Sequence, residues 1–157
     1  PGGAVTTASN QVCIGDENIS ALFCADDSIA TSDARDKTDV TNFTGGLSWI
    51  NEMQPVTYRW DKRAWYAKES NPDATPEDVL AASPDGSKKK DQLLLGLLAQ
   101  DIEVIEKANG FADSADNRLL TDLTEDETSY GLQYARITPV LINAIKELSA
   151  EIDKLKA

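Results

Sequence analysis

Histidine is absent from the 157-residue sequence, and its absence restricts the chemistry available to the chain. Without imidazole there is no common general base at neutral pH, and no Ser-His-Asp or Cys-His arrangement can form. Proton transfer must therefore use a carboxylate, a lysine, a tyrosine or a chain terminus. Cysteine is scarce as well: Cys13 and Cys24 lack C-x-x-C spacing, and we interpret them as small apolar side chains in a reducing compartment.

Basic residues are also few, with 15 Lys and Arg against 27 Asp and Glu and a formal net charge of -12. A negative field of this size repels polyanions, because nucleic-acid binding depends on phosphate neutralisation by Lys and Arg. We therefore expect no nucleic-acid partner. No apolar run approaches the ~20 residues that span a bilayer, so no membrane partner is expected. No cofactor and no metal are expected. The acidic cluster Asp122, Glu125, Asp126 and Glu127 is interpreted as a solvated loop, with loose Ca²⁺ binding as the alternative.

Residues 1–31 contain two short runs in which apolar and polar side chains alternate, which is strand periodicity. A strand-turn-strand of this size cannot bury its own apolar face. Its partners are expected in another chain or in upstream sequence. The Pro-Gly-Gly start is typical of a fragment of a longer polypeptide, and no signal peptide is visible in it.

The middle of the chain is expected to fold into short elements, judged by apolar periodicity and turn residues. Residues 62–90 contain three prolines and predict a long exposed excursion. Within it, Thr75 and Pro76 provide an N-cap and a first helical residue. In chain order we expect a helix over residues 47–53, a strand over 56–60, a helix over 75–80, a buried strand over 93–100 and a helix over 101–109.

Core-facing residues are predicted in the last of these helices and in the acidic stretch that follows it. The helix is expected to direct Ile102, Ile105 and Val104 towards the core and to end at Gly110. In residues 112–129, the expected anchors of a strand pair are Leu119, Leu120 and Leu123.

The C-terminal part, from residue 130 to residue 157, predicts one long helix with Pro139 in its early part and a coiled-coil region over about residues 137–157. Five apolar residues recur at intervals of 4, 3, 4 and 3, which is a coiled-coil seam with Ile at a and Leu at d. This pattern favours self-association but does not fix the number of chains. The seam consists of Leu141, Ile145, Leu148, Ile152 and Leu155.

The candidate catalytic pair is Ser32 and Lys37, five residues apart. In a chain without histidine, a lysine whose ammonium pKa is lowered by burial is the most plausible base for a serine nucleophile. The spacing of five does not place both residues on one helical face, so a turn must fold Lys37 back. On spacing alone, two solvated surface residues remain the commoner explanation.

The segment Ser32-Asp33-x-Arg35-x-Lys37 resembles the Ser-Asp-x-Arg-x-Lys signature of the C-terminal intramolecular chaperone domains of phage endosialidases, tail fibres and neck appendages. Three further blocks are similar to the family: residues 55–60, residues 95–103 with Asp101 in place of the more usual Glu, and residues 130–148. The resemblance covers residues 32–157.

This resemblance implies an α+β fold of short strands and helices packed against a long C-terminal helix in a homotrimeric coiled coil. Residues 1–31 would be the end of an upstream triple-stranded β-stalk, and residues 32–157 the chaperone domain. The implied partners are two further copies of the chain and its own upstream stalk. The implied setting is a virion component assembled in the host cytoplasm, with the chaperone part absent from the mature particle.

The expected activity is a single autoproteolytic cleavage at Thr31 and Ser32, once folding has brought Ser32 and Lys37 together. Arg35 or backbone N–H groups would stabilise the oxyanion, with Asp33 as a supporting residue. The alternative role for Arg35 is an ion pair with a neighbouring acid. Two rival functions remain. One is a trimerisation cap without chemistry. The other is a receptor-binding fibre tip whose residues 62–90 and Trp49, Trp60 or Trp65 contact a glycan, although tryptophans so placed are more often core residues.

Overall fold

The computed structural model describes residues 30–156. The strands expected in residues 1–31 therefore lie outside the described residues, apart from the last two positions. The chain divides into two units, Pro1–Thr44 and Gly45–Ala157. In the first unit, the described part contains one short 3₁₀ turn, Ala34–Asp36.

In the second unit, short elements precede one long helix. In chain order they are α1 Leu47–Glu52, β1 Val56–Tyr58, α2 Arg63–Ser70, α3 Pro76–Ala81, β2 Leu94–Gly96, α4 Ala99–Ala108, β3 Thr121–Leu123, β4 Tyr130–Leu132 and α5 Ile137–Lys156. Two further 3₁₀ turns are Ala115–Asn117 and Tyr134–Arg136. The expected mixture of short strands and helices with a long C-terminal helix is confirmed.

In the part of the chain that the structure describes, the strands form two antiparallel pairs. Strand β1 pairs with β2, with Thr57 opposite Leu95, and β3 pairs with β4, with Asp122 opposite Gly131. The prediction of a buried strand over residues 93–100 is wrong: the strand is only Leu94–Gly96, and Leu95 is 75% exposed. A two-stranded sheet has few neighbours to cover both of its faces, so alternate side chains remain in water.

The core lies where α1, α4 and α5 bury their apolar faces. Trp49 of α1 is buried and meets Phe111 edge-on, with ring centroids 6.0 Å apart. Ile102 and Ile105 are buried as predicted, whereas Val104 is exposed on the outer face of α4. This helix ends at Ala108 with Asn109 as its C-cap residue, two residues before the predicted end, and Gly110 follows with a φ of +81° that suits glycine.

Residues 62–90 are more structured than predicted. The expected helix at Thr75 is present as α3, and Thr75 and Asp78 form a reciprocal capping box. Helix α2 was missed, because its sequence has no sustained apolar face. Lys90 donates its backbone N–H to the carbonyl of Trp60, 2.8 Å away, which closes the segment at its base.

The prediction of one helix from residue 130 is also wrong at its beginning. Tyr130 pairs with Leu123 in a strand, and the helix begins at Ile137 with Pro139 in its first turn. Proline is tolerated there because the first N–H groups of a helix have no intrahelical partner. Among the described residues, no helix has the length and apolar character needed to cross a membrane.

Candidate functional site

The candidate catalytic segment is built on the 3₁₀ turn at Ala34–Asp36. Asp33 begins the turn and accepts a hydrogen bond from the backbone N–H of Arg35 at 2.9 Å. The backbone N–H of Lys37 donates to the carbonyl of Ala34 at 3.3 Å, which ends the turn. A tight turn of this kind reverses the chain between residues 32 and 37, so their side chains leave it on the same side.

Ser32 and Lys37 are in direct contact through their side chains. The Nζ atom of Lys37 lies 2.7 Å from the Oγ atom of Ser32, a short hydrogen bond. A charged ammonium group at this position donates the hydrogen bond to the hydroxyl oxygen. A neutral amine in the same place would accept the hydroxyl proton instead. The two side chains of the candidate pair are thus within hydrogen-bonding reach of each other inside a single chain.

Arg35 is held by Asp33 rather than free to face the serine. Its Nε atom donates to both carboxylate oxygens, at 3.0 and 3.1 Å. The side-chain hydrogen bond from Arg35, with help from its backbone N–H, lowers the pKa of Asp33, and the same pair raises the pKa of Arg35. In this conformation Arg35 therefore forms an ion pair with Asp33, which was the alternative to stabilising the oxyanion. Backbone N–H groups are the remaining candidates for an oxyanion site.

All residues from 30 to 42 are exposed, including Thr31, Ser32 and Lys37. Burial is the factor that disfavours the charged form of a lysine. The turn provides the geometry of the pair but leaves it in contact with water, so any dehydration of the site must come from a partner or a rearrangement.

A second polar cluster, in the Gly45–Ala157 unit, was not predicted from the sequence. Glu106 of α4 is fully buried. Its carboxylate accepts hydrogen bonds from the backbone N–H groups of Leu119 and Leu120, both at 2.7 Å, and from the N–H and hydroxyl of Thr121. Glu106 stands four residues after Ile102, on the apolar face of α4. The sequence signal that could have identified this cluster was a glutamate among the core-facing positions of α4.

Glu103 extends this cluster on the same helix. Arg118 donates to its carboxylate at 2.6 Å, Lys107 lies 3.3 Å away, and the hydroxyl of Tyr130 donates at 3.2 Å. Burial raises the pKa of Glu103, but the hydrogen bonds from Arg118 and Lys107 outweigh it and hold the pKa below its usual value. The cluster joins α4 to the β3–β4 hairpin, so its role in this chain is to fix the fold.

The predicted seam lies on a face of α5 that this chain leaves open. Its residues are 43–88% exposed, whereas Val140 and Ala144 on another face of the helix are buried. A row of exposed large aliphatic residues is unusual on a monomer and marks an interaction surface. The row consists of Leu141, Ile145, Leu148, Ile152 and Leu155.

Comparisons with known proteins give one match. A peptidase family model described as chaperone of endosialidase matches residues 32–111, just over half of the chain. The match begins at Ser32, includes Lys37 and ends just after α4; residues 112–157 lie beyond it. No curated protein and no solved structure matches the chain. On the extent of the family match, the chain belongs to the chaperone-of-endosialidase family.

Proposed function

We propose that this chain is a trimer-forming intramolecular chaperone, which folds an upstream viral fibre or spike stalk and then releases itself by cutting between Thr31 and Ser32. The observation that carries the proposal is the 2.7 Å contact between Lys37 Nζ and Ser32 Oγ, inside the family-matched region. Residues 1–31 would stay with the stalk, and residues 32–157 would be the released domain, absent from the finished particle.

The chemistry is an N-to-O acyl shift followed by hydrolysis. Neutral Lys37 takes the proton of the Ser32 hydroxyl as Oγ attacks the carbonyl carbon of Thr31. A carbon–oxygen bond forms, the peptide carbon–nitrogen bond breaks, and the proton passes to the departing Ser32 nitrogen. Water then hydrolyses the ester, leaving a carboxylate on Thr31 and a free amino group on Ser32. Attack within one segment gains the benefit of proximity, which suits a single turnover.

Assembly of three chains would supply the dehydration that the Ser32–Lys37 pair lacks in a single chain. The pair is close but exposed, and dehydration would favour the neutral amine that accepts the serine proton. The open seam on α5 gives a means of bringing copies together. Two heptads alone form a marginal coiled coil, so contacts elsewhere in the domain would contribute to the trimer. Cleavage would then report that three chains have assembled correctly.

The test is the size of the chain on a denaturing gel after expression together with its upstream stalk. Ser32→Ala and Lys37→Ala should each leave one full-length band. Lys37→Arg should do the same, because arginine keeps the charge but does not give up its proton. Lys89→Ala is the matched control and should be cut as wild type. The new N-terminus should be Ser32, and hydroxylamine should trap the ester as a hydroxamate on Thr31.

Two results would decide against the proposal. A wild-type chain that stays intact would favour the trimerisation cap without chemistry. Cutting near residue 32 in either alanine variant would remove the Ser-Lys assignment. The glycan-binding alternative loses one of its three tryptophans, because Trp49 is buried in the core. Trp60 remains about half exposed, with Lys62 Nζ 4.8 Å from its ring centre.

A further inference from the structure

The Ser32–Lys37 pair lies in a segment that is rich in acids. All residues from 30 to 42 are exposed, so the charged groups around Lys37 meet water rather than a covering helix or strand. These groups come from the segment itself, and they are Asp33, Arg35, Asp36 and Asp39. The Lys37 ammonium can therefore choose between the Ser32 hydroxyl and several carboxylates.

A carboxylate bound to the lysine would oppose the proposed chemistry. A nearby negative charge favours the ammonium form of a lysine, and only the neutral amine can accept the serine proton. Asp33 is the acid nearest in the chain to the reacting hydroxyl, because it follows Ser32 directly. A free carboxylate at this position would compete with the hydroxyl for Lys37.

The carboxylate of Asp33 is instead held by Arg35. The Nη2 atom of Arg35 lies 2.5 Å from Oδ2, and its Nε atom lies 3.0 Å from Oδ1, so both oxygens are engaged. Oδ1 also accepts the backbone N–H of Arg35. A guanidinium fork matches a carboxylate better than the single charged point of a lysine does. The two opposite charges lie side by side, so their combined effect on a neighbouring group is smaller than that of a free carboxylate.

This pairing leaves Lys37 to Ser32. Its Nζ atom is 2.7 Å from Ser32 Oγ, and within residues 30–156 it forms no ion pair. One short turn thus carries two contacts with separate partners: the arginine binds the aspartate, and the lysine binds the serine.

We infer that Arg35 is a positioning residue for autoproteolysis, which keeps the Asp33 carboxylate away from Lys37 and so lowers the pH at which the lysine can act as the base. This inference rests on the proposed function. It gives Arg35 a role different from stabilising the oxyanion, because the guanidinium acts on the base and not on the reacting carbonyl group. The first role sets the pH at which the cleavage rate rises, whereas an oxyanion contact sets the maximal rate.

The experiment measures the first-order cleavage rate against pH in the chain with its stalk. The sample is assembled at acidic pH, where a charged lysine keeps it uncut, and is then transferred to buffers of increasing pH. Arg35→Gln frees the Asp33 carboxylate, so the midpoint of the rise in rate should move up by about half a pH unit, the effect of one exposed charge a few ångströms away. On the rising part of the profile, cleavage should be about threefold slower. The maximal rate at alkaline pH should equal that of wild type.

Removing the carboxylate as well should restore the profile. Asp33→Asn keeps a side-chain oxygen that can accept the N–H of the turn, and in the Arg35→Gln chain it should return the midpoint to that of wild type. Asp33→Asn alone leaves the guanidinium charge unpaired and should move the midpoint down. Asp36 and Asp39 are the same in all these chains, so their effect cancels. Lys89→Gln removes an exposed positive charge of the second unit and should leave the profile unchanged.

A second readout does not depend on cleavage. In the Ser32→Ala chain, which stays whole, competitive acetylation of Lys37 followed by mass spectrometry reports the pH at which the amine becomes reactive. Arg35→Gln should move this pH up, and adding Asp33→Asn should move it back.

Two results would overturn this inference alone, because the wild-type chain would still be cut. The first is an unchanged midpoint in Arg35→Gln with a lower maximal rate, which would favour the oxyanion contact. The second is a double variant as slow as Arg35→Gln, which would show that the loss comes from a disturbed turn. A wild-type chain that stays intact at every pH would overturn the proposed function and this inference with it.

Discussion

The buried carboxylate of Glu106 accepts a hydrogen bond from the backbone N–H of Leu120 at 2.7 Å, immediately before strand β3 begins. The same carboxylate also satisfies the N–H groups of Leu119 and Thr121. Buried backbone groups are costly when they are left without partners. One side chain on α4 thus completes the hydrogen bonding at the entry to a hairpin more than ten residues away in sequence.

Replacing Glu106 should therefore destabilise the second unit strongly. Glu106→Ala leaves several buried donors without an acceptor and should lower the free energy of unfolding by about 3 kcal/mol or more. Glu106→Gln keeps one acceptor oxygen but places an NH₂ group against a donor, and should cost about 1–3 kcal/mol. Urea unfolding at a fixed protein concentration measures both.

The matched control for Glu106 is Glu125→Gln, which removes the same charge from an exposed loop position. Its effect should stay within about 0.5 kcal/mol, as is usual at the surface. A Glu106→Ala variant as stable as this control would show that the hairpin does not depend on the carboxylate.

Local signals in the sequence predicted much of the fold, including the burial of Ile102 and Ile105, but not the features that depend on distant elements. The helix beginning after Thr75 follows from a capping pattern within a few residues, and the turn that returns Lys37 to Ser32 was required by the proposed pair. By contrast, the role of Glu106 depends on donors that come from a later hairpin. The exposure of Leu95 depends on how many strands join its sheet. Both depend on tertiary packing, which short-range periodicity in the sequence does not predict.

The stability of the fold should fall at acidic pH in part because of Glu103. Its pKa is lower in the folded chain than its usual value, since the hydrogen bonds from Arg118 and Lys107 outweigh burial. The stabilisation is therefore fully present above the unfolded pKa of about 4.3 and is lost as the pH falls through the folded pKa. The difference in unfolding free energy between wild type and Glu103→Gln should be largest near pH 7 and shrink below about pH 4.

Unfolding titrations at several pH values would measure this difference. The comparison with Glu103→Gln cancels the other titrating acids, because they are the same in both chains. A difference that stays constant from neutral to strongly acidic pH would contradict the assignment.

Gly96 is needed for the contact between β2 and the turn before α5. A Cβ atom there would lie 2.6 Å from the Tyr134 hydroxyl oxygen, which accepts a hydrogen bond from the N–H of Leu97, and 3.1 Å from a ring carbon of Tyr58. Gly96→Ala should therefore cost about 1–3 kcal/mol. Adding Tyr134→Phe removes the nearest atom and should recover part of the loss, giving a coupling energy of about 0.5 kcal/mol or more in a double-mutant cycle.

The control for Gly96 is another strand glycine. At Gly131 a Cβ atom would meet only Asp122 Cβ, at an ordinary 3.6 Å. Gly131→Ala should thus be close to neutral in the same thermal or urea unfolding measurement. Strictly additive effects of Gly96→Ala and Tyr134→Phe would show that the hydroxyl is not the atom that excludes a side chain.

The α5 seam should hold the copies of the proposed trimer together without being needed for the fold of one chain. Ile145 is 65% exposed and Ile152 is 49% exposed, so neither contributes much to the core of its own unit. If the chain forms the proposed trimer, Ile145→Asp or Ile152→Asp would place a charge without a partner between packed helices and should convert that trimer to monomer. Ala150→Asp puts the same charge at an exposed position of α5 away from the seam and should leave the proposed trimer intact. Sedimentation velocity measures the mass, and circular dichroism should show that the monomer keeps its short helices. A trimer that survives both seam substitutions would mean that other surfaces hold the copies together.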